Sequence, residues 1–175
     1  MDMTVLYLVR HGETVDNARR IMQGQTQGQL NDNGIRQAEE VAERMKTEQI
    51  DAFVSSDLRR SIHTCEIIAQ PHNASVVTTP LLRERDWGAF TGKYIPDLSN
   101  LNGPTLWPDD IESLDMLKVR AKEFLAWIRK TYPGQRVLAV GHGIINKAIQ
   151  SVFFDKPMKE IPPMTNAEIR ILDLE

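Results

Sequence analysis

Apolar residues recur along the chain in two alternating patterns. Continuous β-branched and aromatic runs at residues 5–9 and 137–140 are typical of strands that are covered on both faces of a parallel sheet. Shorter runs at residues 52–54 and 75–78 predict two further strands. Residues 168–174 alternate polar with apolar side chains, with one slip in the pattern, which predicts an edge strand.

Three segments between these strands carry apolar residues at a period of 3.6, which predicts amphipathic helices. The first follows Asn31, which can cap a helix, and the second follows Ser55 or Ser56 and stops before Pro71. A fourth helix is predicted directly after the strand at residues 137–140. The apolar positions of the first three helices are Ile35, Ala38, Val41, Ala42 and Met45; Leu58, Ile62, Cys65, Ile68 and Ala69; and Leu114, Leu117, Ala121, Phe124 and Ile128.

Strands that alternate with helices predict a layered α/β fold with right-handed crossovers. Residues 80–110 interrupt this order, because they hold four of the nine prolines and two of the three tryptophans. We expect this stretch to form a short cap or lid. A length of 175 residues fits one domain, so the prediction is a single domain over residues 1–175.

Composition and charge exclude several partners. The formal net charge of -3 gives no basic field, so an anionic partner must be held by a local cluster of cations, and nucleic acid is disfavoured. Cys65 is the single cysteine and cannot form an internal disulfide, which predicts a buried side chain and a reducing cytoplasm. The sequence shows neither a basic signal peptide nor a membrane-length apolar run.

The two long apolar strands each run directly into an x-His-Gly turn. They deliver His11 and His142 to the carboxyl edge of the predicted sheet, where such folds bind ligands. Arg10 precedes His11, and Arg60 lies near a helix start whose dipole also favours an anion. Guanidinium groups offer paired donors to phosphate oxygens and keep a nearby imidazole neutral and nucleophilic. This pattern predicts phosphoryl chemistry at His11.

A leaving alkoxide also needs a proton. Glu84, just after a predicted strand, is the best candidate for the general acid, with Asp86 as its rival. A thiol nucleophile is disfavoured, because Pro71 stands six residues after Cys65, where a cysteine phosphatase needs arginine. The remaining histidines lack metal-ligand spacing, so we expect no metal and no cofactor.

Four elements of the sequence resemble the histidine phosphatase superfamily, which has the phosphoglycerate-mutase-like fold. They are LVRHGET at residues 8–14, SSDLRRSIHT at residues 55–64, Glu84, and GHG at residues 141–143. The resemblance covers nearly the whole chain and implies a three-layer α/β/α sandwich with a mostly parallel central sheet and a short cap segment.

The resemblance also implies roles for individual residues. His11, in the Arg-His-Gly motif, would form a phosphohistidine, and Glu84 would be the proton donor. Arg10, Arg60 and His142 would bind the phosphoryl group. Further substrate-binding positions implied by the resemblance are Asn17, Gln23, Gly24 and Gly143.

The sequence departs from the family pattern at three places. Arg59 is the additional arginine and is expected in solvent, while the usual Arg-Ala reads Arg60-Ser61. In the cap, the usual Gly-Glu-Ser reads Ile111-Glu112-Ser113, which leaves a contact from Ser113 to phosphate open.

These observations favour a metal-independent phosphatase that acts on a small phosphorylated metabolite. The segment at residues 22–25 lacks the Gly-Trp associated with the mutases, and the stretch between Glu84 and the third helix is short. Both points favour hydrolysis over mutase-type phosphoryl transfer, which stays as an alternative. A non-catalytic phospho-ligand or protein-binding module is a third possibility. The substrate and the choice between monomer and homodimer stay open.

Overall fold

Five strands form one mixed sheet in the computed structural model, which describes residues 3–98 and 107–175. The strands are β1 (Thr4–Arg10), β2 (Ala52–Ser56), β3 (Val76–Thr79), β4 (Arg136–Gly141) and β5 (Ile169–Leu174). Their order in the sheet is β3-β2-β4-β1-β5. Neighbouring strands are parallel except for β5, which runs antiparallel to β1 at the edge. The predicted strands are thus confirmed, including the edge strand.

Helices cover both faces of the sheet. They are α1 (Val15–Arg19), α2 (Asp32–Met45), α3 (Arg59–Ala69), α4 (Ile95–Leu98), α5 (Leu114–Thr131) and α6 (Gly143–Phe154). Side chains alternate along β1, so Leu6 and Leu8 pack with α5 and α6 on one face, whereas Tyr7 and Val9 pack with α2 and α3 on the other. Cys65 lies buried in this second layer. The three-layer α/β/α sandwich is confirmed.

Of two predicted helix caps, one is confirmed and the other is wrong. Asn31 caps α2 as expected, because its side-chain oxygen accepts the N–H of Gly34 at 2.8 Å. The expectation that Ser55 or Ser56 caps α3 is wrong. Pairing with β3 extends β2 through Ser56, so the N-cap position falls on Leu58, which has no side-chain acceptor.

The predicted cap is described in part. Residues 80–98 contain short turns and α4, and residues 99–106 of the predicted cap lie outside the described residues. Trp87 and Ile95 from this segment form part of the wall of a pocket at the carboxyl edge of the sheet. Among the helices of the two described ranges, none combines the length and apolar character that a membrane crossing requires.

The chain crosses the carboxyl edge of the sheet between α6 and β5, and this crossing contains a strained residue. Ala167 has a φ of 64°, in the left-handed region that a residue with a Cβ atom rarely adopts. Its N–H donates to the carbonyl oxygen of Arg10 at 2.9 Å, and it is nearly buried. The bond to Arg10 and the packing hold Ala167 in this conformation.

Replacing Ala167 with glycine should therefore raise the free energy of unfolding. Glycine adopts positive φ without steric cost, so we expect a gain of up to about 1 kcal/mol in urea denaturation. Ala38→Gly, inside α2, is the control and should lower stability by about 1 kcal/mol. A destabilised Ala167→Gly variant would show that the left-handed conformation is not strained.

Candidate active site

A pocket of about 290 Å³ lies where β1 and β4 end. The sequence predicted nine site residues, and eight of them line this pocket: Arg10, His11, Asn17, Gln23, Gly24, Arg60, Glu84 and Gly143. The ninth, His142, lies buried beside His11, with the two ring centroids 5.0 Å apart. Elements distant in sequence thus converge on one place.

The tautomer of His11 is set by its own loop. Its Nδ1 lies 2.7 Å from the carbonyl oxygen of Gly12. A carbonyl oxygen only accepts hydrogen bonds, so Nδ1 must carry the proton. In the neutral ring, Nε2 then keeps its lone pair and is the nitrogen that can attack an electrophile.

The surroundings of His11 favour this neutral ring. Burial lowers the pKa of His11 well below its ordinary value, and the positive charges of Arg60 and Arg10 lower it further. The hydrogen bond to Gly12 acts in the opposite direction but is outweighed. The imidazole of His11 is therefore unprotonated, and so uncharged, at neutral pH.

Close packing between two glycines fixes the loop that carries His11. A Cβ atom on Gly12 would lie 2.5 Å from the carbonyl oxygen of Gly34 in α2, and one on Gly34 would lie 2.0 Å from that of Glu13. Neither position accepts a larger residue without backbone movement. The N–H of Gly12 also donates to the hydroxyl of Thr64 at 3.1 Å. The turn after β1 is thereby held between α2 and α3.

One ring nitrogen of His142 contacts two hydroxyls, and the other is buried without a hydrogen-bond partner among the described residues. Its Nε2 lies 2.8 Å from Ser56 Oγ and 3.1 Å from Ser61 Oγ. A hydroxyl proton donated to Nε2 leaves the ring hydrogen on Nδ1, which is buried and has no partner among the described residues. Burial, followed by the charge of Arg60, lowers the pKa of His142 well below its ordinary value. His142 can thus donate a hydrogen bond without carrying a charge.

The two arginines are held by backbone carbonyls. Arg60 Nη2 donates to Gly24 O at 2.7 Å, and Arg10 Nη1 donates to Met164 O at 2.7 Å. Burial lowers the pKa of both, that of Arg60 to about 10, which still leaves the guanidinium charged at neutral pH. Their Nε atoms are buried and, within the described part of the chain, have no acceptor. With His142 Nδ1, they make three N–H donors suited to the oxygens of a phosphoryl group.

Glu84 also lines the pocket, and its carboxylate lies against the N-terminus of α6. Its carboxylate accepts the backbone N–H groups of Ile144 and Ile145, each at 3.0 Å, and that of Arg85 at 2.8 Å. The N–H groups of Ile144 and Ile145 belong to the first turn of α6, where the helix dipole favours a negative charge. The carboxylate is therefore firmly placed in the pocket wall.

The other predicted contact residues have structural hydrogen bonds within the wall. The side-chain oxygen of Asn17 accepts the N–H of Thr14 at 3.1 Å and an N–H of Asn166 at 3.3 Å. Gln23 Oε1 accepts the hydroxyl of Thr14 at 2.9 Å. Asn17, Gln23 and Gly24 face the pocket, and their contact with a substrate stays a prediction.

Three residues that the sequence left in question lie outside the pocket wall. Asp86 is exposed and accepts the N–H of Gly88 at 2.9 Å. Ser113 caps α5 by accepting the N–H of Met116 at 3.1 Å. Arg59 is exposed, as expected, and lies 3.5 Å from Glu66. Glu84 is thus the carboxylate that the fold delivers to the pocket, rather than Asp86.

Two parts of the site were not predicted from the sequence. Lys147 lies one turn after Gly143 on α6, lines the pocket, and has no ion pair or hydrogen bond among the described residues. The spacing of four residues from Gly143 could have indicated it. The crossing segment supplies Met164 and Asn166, whose side-chain N–H donates to His11 O at 3.1 Å. No local sequence pattern predicts the contacts of Met164 and Asn166, because these residues are more than 150 positions away from their partners.

Comparisons with known proteins identify the family of the chain. The sequence model of the histidine phosphatase superfamily (branch 1) matches residues 6–175. The chain is 37% identical over 166 residues to the probable phosphoglycerate mutase GpmB of Enterobacter sp. (strain 638), covering 89% of this chain and 77% of that protein. It is 36% identical over 141 residues to the uncharacterized phosphatase PhoE of Bacillus subtilis (strain 168), covering 81% and 72%.

A solved structure is similar over almost the whole fold. The mycobacterial glucosyl-3-phosphoglycerate phosphatase superposes with a TM-score of 0.85 at 25% identity, covering 97% of this chain and 89% of that one.

The two buried histidines should make stability depend on pH. Below about pH 6.5 the unfolded chain binds protons at His11 and His142, whereas the folded chain, with both pKa values lowered, does not. The free energy of unfolding should therefore fall as the pH decreases, by about 1.4 kcal/mol per pH unit for each histidine. Urea denaturation between pH 7.5 and 5.5 measures this slope. A double variant, His11→Asn with His142→Asn, should lose it; an unchanged slope would contradict the assignment.

Proposed function

Because the chain belongs to branch 1 of the histidine phosphatase superfamily, we propose that it is a metal-independent phosphatase that hydrolyses a small phosphorylated metabolite through a phosphohistidine on His11. The observation that carries this proposal is the pairing of a buried neutral imidazole, whose Nε2 is free, with three buried N–H donors from Arg10, Arg60 and His142. We extend the proposal to residues 1–175 acting as one domain.

In the first step, His11 Nε2 attacks phosphorus. A P–N bond forms while the bond to the ester oxygen breaks. Arg10, Arg60 and His142 hold the other phosphoryl oxygens and stabilise the charge that develops on them. Glu84 gives its proton to the leaving alkoxide, which departs as an alcohol.

In the second step, water attacks the phosphohistidine. Glu84, now a carboxylate stabilised by the N–H groups of Ile144 and Ile145, accepts a proton from the water. The P–N bond breaks, inorganic phosphate leaves, and His11 returns to its neutral form. The α6 N-terminus thus supports the state of Glu84 that exists between the two steps.

Mutase-type transfer is the second candidate, because the GpmB relative is named a probable phosphoglycerate mutase. Hydrolysis is favoured by the Met-Gln-Gly-Gln sequence at residues 22–25, which lacks the Gly-Trp associated with the mutases. It is also favoured by the phosphatase names of PhoE and of the mycobacterial structure. Incubation with a monophosphoglycerate separates the two: a phosphatase releases free phosphate, whereas a mutase exchanges the isomers.

Lys147 adds a preference for substrates with a second negative charge. The phosphoryl dianion neutralises Arg10 and Arg60, and Lys147 remains as a further cation in the pocket wall. It lies four residues after Gly143, which is about 6 Å along the helix. A carboxylate a few bonds away from the phosphate fits this distance.

Replacing His11 with asparagine should abolish turnover while the fold is kept, because the amide retains polarity but has no lone pair that can bond to phosphorus. We expect kcat to fall by about 10³-fold or more. Release of phosphate from p-nitrophenyl phosphate in the absence of metal, together with circular dichroism, measures both properties. Near wild-type hydrolysis by this variant would refute the covalent mechanism.

A folded wild-type protein without activity on a broad panel of phosphorylated metabolites would favour the binding-module alternative.

Replacing Lys147 with glutamine should selectively weaken use of a doubly anionic substrate. We expect kcat/KM for 3-phosphoglycerate to fall by about tenfold, the effect of losing one charge-assisted hydrogen bond of about 1.4 kcal/mol. Glycerol 3-phosphate, which replaces the carboxylate with a neutral group, should be little affected. Equal losses for both esters would exclude a subsite for the second anion.

A further inference from the structure

The peptide segment that carries Glu84 is held from behind by an ion pair outside the pocket. Arg120, in α5, and Glu112, just before that helix, pair through Arg120 Nη2 and Glu112 Oε1 at 2.8 Å and through Arg120 Nε and Glu112 Oε2 at 3.1 Å. Their side chains are only 16% and 12% exposed, so solvent screens this pair far less than an ordinary surface pair. The pair therefore forms a partly buried, two-pronged contact of the strong kind.

Arg120 also binds the backbone on both sides of the Glu84 side chain. Its Nη1 donates to Leu81 O at 3.0 Å and to Arg83 O at 2.5 Å, and its Nη2 reaches Glu84 O at 3.4 Å. One guanidinium thus binds three carbonyl groups within residues 81–84, a segment that has no regular secondary structure after Leu82.

Glu112 completes the arrangement from the other end of the segment. Its Oε1 accepts the N–H of Asp86 at 2.9 Å, and its backbone oxygen accepts Arg85 Nε at 2.7 Å. The peptide groups before and after Glu84 are therefore both tied to α5. Meanwhile, the Glu84 carboxylate itself reaches across to the first turn of α6.

We propose that Arg120 and Glu112 are positioning residues for the proton donor, setting the backbone at residues 83–86 so that the Glu84 carboxylate reaches the ester oxygen of a bound substrate. This inference rests on the proposed function. Neither residue lines the pocket, so the pair acts on a substrate indirectly, through the segment that carries Glu84. The positive charge of Arg120 also helps to lower the pKa of His142, and Arg120→Lys keeps that charge. A displacement of about 1 Å in a catalytic group can cost about 100-fold in rate, so the pair controls proton transfer from outside the site.

The same contacts could serve stability alone, and the dependence on the leaving group separates the two roles. An alkoxide needs a proton in order to leave, whereas a nitrophenolate leaves without one. Loss of donor positioning must therefore slow the hydrolysis of an alkyl phosphate and spare an aryl phosphate. Simple destabilisation lowers the amount of folded enzyme and affects both esters equally.

The experiment compares kcat/KM for glycerol 3-phosphate and p-nitrophenyl phosphate, because this constant includes only the steps up to departure of the alcohol. In Arg120→Lys, one ammonium cannot replace the five contacts of the guanidinium. We expect the alkyl ester to lose about 100-fold, the lower end of the contribution of a general acid, with little change for the aryl ester. Glu112→Gln keeps an acceptor for Asp86 but loses the charge, so it should show a smaller loss of the same kind.

Two controls make each outcome decisive. Ile128→Ala, at a fully buried core position of the same helix, lowers stability without touching the Glu84 segment and should affect both esters alike. Glu84→Gln reports on the proposed function itself and should show the full leaving-group dependence. If Glu84→Gln spares the alkyl ester, the assignment of the proton donor is wrong. If Glu84→Gln shows the dependence but Arg120→Lys and Glu112→Gln do not, the pair is only structural and the inference is overturned.

Discussion

The burial of two arginines that are hydrogen-bonded to backbone carbonyls, beside two neutral histidines, is the constraint on which the rest of the site depends. A buried guanidinium is costly unless its donors are bonded, and an ion pair with a carboxylate is the common solution. Here Arg10 and Arg60 are bonded instead to the backbone carbonyls of Met164 and Gly24. A carbonyl satisfies donors without cancelling the charge, so the pocket keeps its positive potential. That potential in turn keeps His11 neutral.

Two loops provide the carbonyl oxygens that bind these arginines. The segment after α1 contributes Gly24, and the crossing before β5 contributes Met164. The same crossing holds His11 in place, since Asn166 and Ala167 both donate to backbone oxygens of the Arg10-His11 pair. Irregular structure is therefore concentrated at the carboxyl edge of the sheet, where the backbone acts as a ligand for the arginines. The helices and strands serve mainly to bring these loops together.

Much of this arrangement could be predicted from the sequence. Prediction succeeded where a residue's place depends on local sequence and failed where it depends on contacts between distant segments. His11 and His142 were predictable because each directly follows a buried strand, and strand position fixes where the next residue lies. Asn31 was predictable as a local cap. Ser56 was predicted wrongly, because sheet pairing with β3 outcompetes its preference for a helix cap and its hydroxyl turns to His142. Met164 and Asn166 went unpredicted, since their roles arise only from contacts that form after folding. Lys147 also went unpredicted, although its spacing from Gly143 on α6 could have indicated it.

The position of β1 in the sheet also affects how the chain folds during its synthesis. β1, which leads into His11, is synthesised before both of its neighbours in the sheet, β4 and β5. β2 and β3 can pair with each other early, whereas β1 must wait as an unpaired apolar segment. Such long-range pairing slows folding. The pocket at the carboxyl edge, whose wall includes residues that follow β1 and β4, therefore forms only after β4 has been synthesised.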